Sequence, residues 1–394
     1  MPARNESPPG LDRAPIRIAV IGLGSIAQNV HLRNLRELAD RFEVRRLCDV
    51  SQGVAAAIAD GLPGRPAVCD DVAEVCTDPT IEAVLVLSGG PHGAIVRSLL
   101  EAGKHVFCEK PLGISLAEIA RLRELAAERG LVCQIGYMKS ADPTTVAARS
   151  RLEELGDLRL VRVTVLHPND ERQLDFDRIL RAPVTNRAAI EDAGAYEQER
   201  LREALGDAPE GLVRYYNDVL LGSVVHQVAV LRALGVALPT EVADAAVSAA
   251  TLARPLPAPP DLSVRATSPS GVGISLDWVW TPELPEYREW IDLVGTHGSM
   301  RLDLSAPYEF GQRSRLRQLS SAPDGTTLTT TTIGRRTGFL QELIGFADAV
   351  SLGGPEISSV DGALEDTRML QAIVRRIAEA MALSLGGEAA DDGR

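Results

Sequence analysis

Aromatic residues are scarce in this chain, at 4% of the total, and cysteines are fewer still at five. Cys48, Cys69, Cys76, Cys108 and Cys133 make an odd number, and no pair has C-x-x-C spacing. That pattern argues against a disulfide framework and against a zinc site; no metal is expected. Small buried thiols in a reducing cytoplasm are expected instead. Positive charge is also short. The 41 Lys and Arg stand against 54 Asp and Glu, a formal net charge of −13, and no block is strongly basic. Nucleic acid and anionic membrane are poor partners for such a surface, because both need a clustered positive face. No apolar run reaches the ~18 residues that a spanning helix requires. The opening MPARNESPPGLDRAP lacks the apolar segment of a signal peptide. A cytoplasmic protein is the expectation.

What remains is ample for a folded enzyme-sized molecule. The 394 residues are 45% hydrophobic and 24% charged, too long for one ordinary core and suited to two domains. Residues 1–14 and 387–394 read as disordered ends, 15–140 as a first domain and 141–386 as a second. In the first, short β-branched runs alternate with helical stretches, the pattern of a parallel sheet with crossover helices. IRIAVI, VRRLCDV, EAVLVLS, HVFCEK and LVCQIGY are its strands. Ser115 with Glu118 three residues on marks a helix start, and Gly130 its stop. Asp142-Pro143 opens the next helix. After Gly156 the text changes. LRLVRVTVLH is a strand, then a charged helical stretch follows. From 243 to 333 strands succeed one another without helices, which implies an antiparallel sheet. Two helices close the chain, one at FLQELIGFADAV and one from after Ser359 to about Leu385. The fold class expected is a Rossmann-type α/β domain followed by an α+β domain with a large, open-faced, mostly antiparallel sheet.

The chemistry starts at Gly22-Leu23-Gly24-Ser25-Ile26-Ala27, directly after the first strand. Glycine strings punctuate many turns, but one between a buried strand and a helix start fits a dinucleotide. Gly22 permits the tight turn, Gly24 lets pyrophosphate approach the backbone, and Ala27 lets the helix pack close. Free N–H groups at the helix start, Ser25 and Ile26 among them, face the phosphates. Asp49 ends the second strand, placed to accept from the ribose 2′-hydroxyl of NAD and to repel the 2′-phosphate of NADP. Arg45 and Arg46 lie upstream within the strand and favour NADP only weakly.

The stretch AVLVLSGGPHGAIVRSLLEAGKHVFCEKPL is more specific, with Ser88, Gly89, His92, Glu109, Lys110 and Pro111 within it. Together with the glycine loop, Asp49, GYMKSADP, His226, REWIDLVGTHGSMRLDL and the closing FLQEL helix, it resembles the Gfo/Idh/MocA family of glucose–fructose oxidoreductases and inositol dehydrogenases. The resemblance covers most of the chain. It implies that Lys110 sits between nicotinamide and substrate, with a cis bond before Pro111. It implies that His226 is the second catalytic residue, and that Ser88, Gly89, His92 and Glu109 border the cofactor. Tyr137, Lys139 and Tyr216 join Lys110 and His226 as candidate substrate contacts. Assembly as a homodimer or homotetramer through the sheet is also implied.

The chain departs from the family at two places. The acid usual four residues before the histidine is replaced by Gly222. Either His226 works without it, or Asp218, Tyr215 or Tyr216 takes its place; Ser223 can cap the His226 helix. Ser140-Ala141 replaces a common arginine–phenylalanine pair. His167-Pro168-Asn169-Asp170, after a strand, is a pocket segment or a polar turn. The function expected is hydride transfer between NAD and a secondary hydroxyl or ketone of a sugar, cyclitol or derivative. The alternatives are a cofactor- or sugar-sensing protein without turnover, and a ketone or imine reductase.

Overall fold

The structure is a computed structural model that describes residues 14–169, 178–248, 251–252, 261–309 and 312–391. Six strands form the first sheet: β1 (Ile16–Ile21), β2 (Phe42–Cys48), β3 (Ala67–Cys69), β4 (Ala83–Val86), β5 (His105–Glu109) and β6 (Cys133–Gly136). Their order is β3-β2-β1-β4-β5-β6, and every pairing is parallel. Val, Ile, Leu and Ala fill β1 and β4 almost without polar interruption, as strands covered on both faces require. The strand order reverses between β1 and β4, and the crevice at their carboxyl ends is where open α/β sheets bind ligands.

The expected helix signals are realised in the backbone. Ser115 accepts from Glu118 N at 3.2 Å, and Gly130 ends that helix in the left-handed region at φ 63°. Asp142 accepts from Thr144 N ahead of the helix Pro143–Ser150.

The second sheet has eight strands: β7 (Leu158–His167), β8 (Val242–Ala246), β9 (Asp261–Thr267), β10 (Gly273–Trp280), β11 (Arg288–Gly295), β12 (Gly298–Leu304), β13 (Arg315–Ser321) and β14 (Thr327–Ile333). The order is β14-β13-β12-β11-β7-β10-β9-β8. Only β7 and β10 run parallel; the other pairs are antiparallel. Val161, Val163 and Val165 of β7 and Ile274, Leu276 and Trp278 of β10 share one buried face, in a single core with the helical run Tyr215–Ala233. The two-domain architecture, a Rossmann-type sheet followed by a mostly antiparallel one, is as expected.

Two segments lie elsewhere than the sequence suggested. The helix Gly338–Leu352 follows the second sheet in the chain, yet its Leu343, Phe346 and Ala347 pack into the core of the first. The stretch from 387, expected as a loose end, forms a helical turn at Gly387–Ala390. There Glu388 accepts from Leu116 N at 2.6 Å and Ala117 N at 2.8 Å. Those are free donors at the start of the helix Leu116–Arg129, where a carboxylate is favoured. Asp170, residues 1–13 and residues 392–394 lie outside the described residues.

Candidate active site

The glycine loop is shaped by contact on one side and by space on the other. Gly22 has φ 84°, and a Cβ there would lie 2.3 Å from Ser88 Cα, so only glycine fits. Gly24 faces open space, with nothing within 4 Å of the position of a Cβ. Such a bare backbone edge is what a pyrophosphate needs. Ala27 is fully buried, which brings its helix against the sheet. Asp49 accepts from Leu23 N at 2.7 Å and from Ser51 N at 2.9 Å. Each carboxylate oxygen keeps a second lone pair for a ribose hydroxyl. These residues fit a dinucleotide.

A cavity of about 560 Å³ opens beyond the loop, between the two domains. Ile26, Ser88, Gly89, His92, Glu109 and Lys110 line it from the first domain. His92 is buried, and its ring nitrogens face the carbonyls of Pro111 and Ser88, both at 2.7 Å. It ties together two of the loops that bound the cavity. The Lys110–Pro111 bond is cis.

From the second domain comes a ten-residue π-helical run, Tyr215–Val224, that passes into the α-helix Val225–Ala233. Wide helical turns of this kind recur at functional sites. Lys110 Nζ donates to the carbonyl of Gly222 at 2.6 Å, so the backbone meets the lysine where a carboxylate was missed. His226, half-buried, lines the cavity, and its Nδ1 is shut from solvent with no partner. Burial pushes the His226 pKa well below the usual 6.5, and the charges of Lys110 and Lys139 push it further. The ring is neutral at pH 7.

Three expectations are corrected by the geometry. Tyr216 is buried and donates to Ile114 O at 2.9 Å, outside the cavity wall. Tyr137 is also buried and does not line the cavity. In both cases the local helix or strand turns the ring into the core. Ser223 does not cap a helix; it lies inside the helical run and accepts from Trp278 Nε1 at 3.0 Å. Lys139 does reach the cavity, but its ammonium donates to Glu289 and, at 3.0 Å, to the Tyr287 hydroxyl. Gln227 holds the other oxygen of Glu289 at 2.9 Å. Of the groups weighed as substitutes for the missing acid, Asp218 lines the cavity, whereas Tyr215 is buried away from it.

Of the aromatic wall the sequence offered only His167, in a segment weighed as pocket or polar turn; His167 does line the cavity, and Trp278, Trp280 and Tyr287 were missed. His167, at the end of β7, pairs with Trp280 in the β7–β10 register and stacks on it, centroids 5.2 Å apart. Trp278 and the edge of Tyr287 complete the group, each 5.4 Å from the His167 ring. All four line the cavity. The W-x-W alternation put both tryptophans on one face; nothing local said that this face meets the cofactor domain.

Behind Lys110 lies a buried trio. His31 Nε2 meets Glu109 Oε1 at 2.9 Å, and Glu342 faces them with neither oxygen bonded. Their donor atoms lie within 4.8 Å of one another, the one grouping among the described residues with the composition of a metal site. Burial, and then the charge of Glu109, push the Glu342 carboxyl well above the usual range.

Residues 16–137 match the family described as "Oxidoreductase family, NAD-binding Rossmann fold", under the name GFO_IDH_MocA. An inositol 2-dehydrogenase/D-chiro-inositol 3-dehydrogenase of Shouchella clausii is 32% identical over 49% of this chain and 54% of its own. A scyllo-inositol 2-dehydrogenase (NAD(+)) of Bacillus subtilis is 34% identical over 35% of this chain and 40% of its own. The chain thus spans about half the length of the curated relatives it matches. Over 91% of this chain and 97% of the other, the fold matches a 3-ketoreductase of Actinomadura kijaniata solved with NADP and TDP-benzene. The TM-score is 0.65 at 19% identity.

Proposed function

We propose that this chain, whose residues 16–137 match the Gfo/Idh/MocA family model, is an NAD-dependent oxidoreductase of that family acting on a secondary hydroxyl or ketone of a sugar, cyclitol or derivative. The observation that carries this is the meeting of Lys110 and His226, from different domains, in one cavity beyond the glycine loop. Gly22–Ala27 and Asp49 would hold the dinucleotide, which supplies the hydride acceptor. His226, neutral at pH 7, takes the hydroxyl proton as hydride leaves. Lys110 donates to the same oxygen and stabilises developing alkoxide charge. The aromatic wall of His167, Trp278, Trp280 and Tyr287 offers π-faces to the C–H face of a polyol ring. In the reverse direction the same groups reduce a ketone. NAD is favoured over NADP by Asp49, and assembly as a homodimer or homotetramer in the cytoplasm belongs to the same reading.

A panel of sugars and cyclitols with NAD, followed by NADH absorbance, tests it. Turnover with any polyol is expected. The glycine at 222 favours a second reading, a sensor that binds NAD without turnover. Saturable NAD binding with no turnover in either direction would establish that one instead.

A further inference from the structure

The second domain sends a short segment back across the first. Residues 180–186, Leu-Arg-Ala-Pro-Val-Thr-Asn, precede the helix Arg187–Leu205 and lie over the turns that follow β1, β2 and β3. At one end, Gln28 Nε2 donates to Leu180 O at 3.1 Å, and Leu180 N donates to Gln28 Oε1 at 2.8 Å. In the middle, Ser51 Oγ donates to Pro183 O at 2.9 Å, and Ala182 lies 3.0 Å from where a Gly53 Cβ would stand. At the other end, Thr185 N and Asn186 N donate to Val50 O at 2.7 and 3.0 Å. Thr185 Oγ1 donates to Asp70 at 2.8 Å, and Asn186 Nδ2 to Asp70 O at 2.7 Å.

These anchors have one thing in common. Gln28 stands four residues past Gly24, Val50 and Ser51 adjoin Asp49, and Asp70 follows the end of β3. Pyrophosphate belongs at the first of these places and the adenosine ribose at the second. The segment therefore bridges the two rims of the groove in which the adenosine half of a dinucleotide lies. Its apolar side chains are not what holds it there. Leu180 and Val184 are 47% and 39% exposed, so little apolar burial fixes the segment. A segment held by surface hydrogen bonds opens locally at low cost.

We propose that residues 180–186 are a strap that forms the outer wall of the adenosine site and retains the dinucleotide between turnovers. The inference rests on the cofactor reading above. The nucleotide enters only when the strap lifts, and it leaves only when the strap lifts again. Contacts from a nucleotide beneath would add to the bonds at Gln28, Val50 and Asp70, so occupancy and closure favour each other. The glycine loop and Asp49 provide recognition; the strap governs how long the cofactor stays.

The test is the rate of NADH release, read by displacement in stopped-flow fluorescence on the full chain. The paired variant Gly53→Cys with Ala182→Cys sets two Cβ atoms near the ~3.5–4.5 Å span of a disulfide. Oxidation should slow release at least tenfold, and a reductant should restore it; the reduced form serves as its own folding control. Independently, Thr185→Ala removes the hydroxyl's bonds to Val50 O, at 3.0 Å, and to Asp70, leaving the backbone bond, and should speed release by roughly tenfold, since a hydrogen bond or two is worth about that. If NADH binds but both manipulations leave release within about twofold of wild type, the strap is no barrier and the inference falls. If NADH binds to no form, wild type included, the cofactor reading itself fails and the strap falls with it.

Discussion

Gly222 shows how a backbone atom can stand where a side chain was missed. Its carbonyl accepts from Lys110 Nζ, so the position four residues before His226 brings no carboxylate to offset the lysine's charge on the histidine. Burial and Lys110 both lower the pKa of the histidine. A general base is lost as pH falls through its pKa, so a lowered value moves that loss downward. The acid limb of kcat/KM should therefore lie below pH 6.5, the ordinary histidine value. His226→Ala should cut kcat by ~10²–10⁴, the usual worth of a positioned base, while NAD affinity by calorimetry stays near wild type. Lys110→Met should move the limb upward but leave it below the ordinary value, because burial is the larger cause. If Asp218→Asn abolishes turnover and His226→Ala does not, the base has been misassigned. At the cofactor, Asp49→Ser removes the charge that opposes a 2′-phosphate. The ratio of NADP to NAD affinity should rise in a calorimetric titration. Residues such as Gly22, Asp49 and Lys110 were legible because strand, turn and helix around each follow from local sequence. Tyr216 and Tyr137 were not, because a helix register or a strand face decides between cavity and core, and packing sets both. Tyr287 and the tryptophans were missed for the same reason on the other side of the cavity.

At the scale of elements, the helix Gly338–Leu352 carries Glu342 into the first domain's core beside Glu109. Two carboxylates so close in a buried place cannot both ionise cheaply. Glu109 has His31 and the Lys110 amide as partners. Glu342 has none, and its carboxyl is pushed up, so it keeps its proton in the folded state. An unfolded glutamate loses that proton near pH ~4.3. As pH rises above that value the unfolded state gains relative to the folded one, and the group costs stability. Glu342→Gln should thus match wild type in urea melts at pH 4 and become the more stable protein by pH 8. A variant that loses stability relative to wild type as pH rises would show that Glu342 is ionised, with a cation or water as its partner. Glu109→Gln, by contrast, deprives buried His31 of a charged partner and should cost ~1–3 kcal/mol. The alternation of β-branched runs and capped helices made the first sheet readable from sequence. That this late helix returns to the first sheet was not, because its apolar face fits either core equally well.

At the scale of the whole molecule, one broad face of the second sheet keeps apolar side chains exposed. In the second sheet, Val163, Leu276, Ile291 and Leu302 point to the helices, and Thr164, Asp277, Trp290 and Asp303 stand on the opposite face in neighbouring registers. That opposite face is polar in places, yet Val294, Leu319 and Ile333 on it are 38%, 43% and 53% exposed. Trp290 is half-buried, and the Arg301 guanidinium lies 4.9 Å from its ring centroid. A face eight strands wide is broad enough to supply the ~800 Å² per partner of an ordinary stable interface. Apolar residues spread among charges of both signs suit a self-complementary contact about a two-fold axis. We therefore expect sedimentation at micromolar concentration to give a dimer or tetramer. Trp290→Asp combined with Val294→Asp should shift it toward monomer, since each buries a charge in the contact without touching the core beneath. The cavity lies on the other side of this sheet, so NAD affinity should be unchanged in the variant. A wild type that sediments only as monomer would refute the assembly, and an oligomer indifferent to both changes would move the contact to another face.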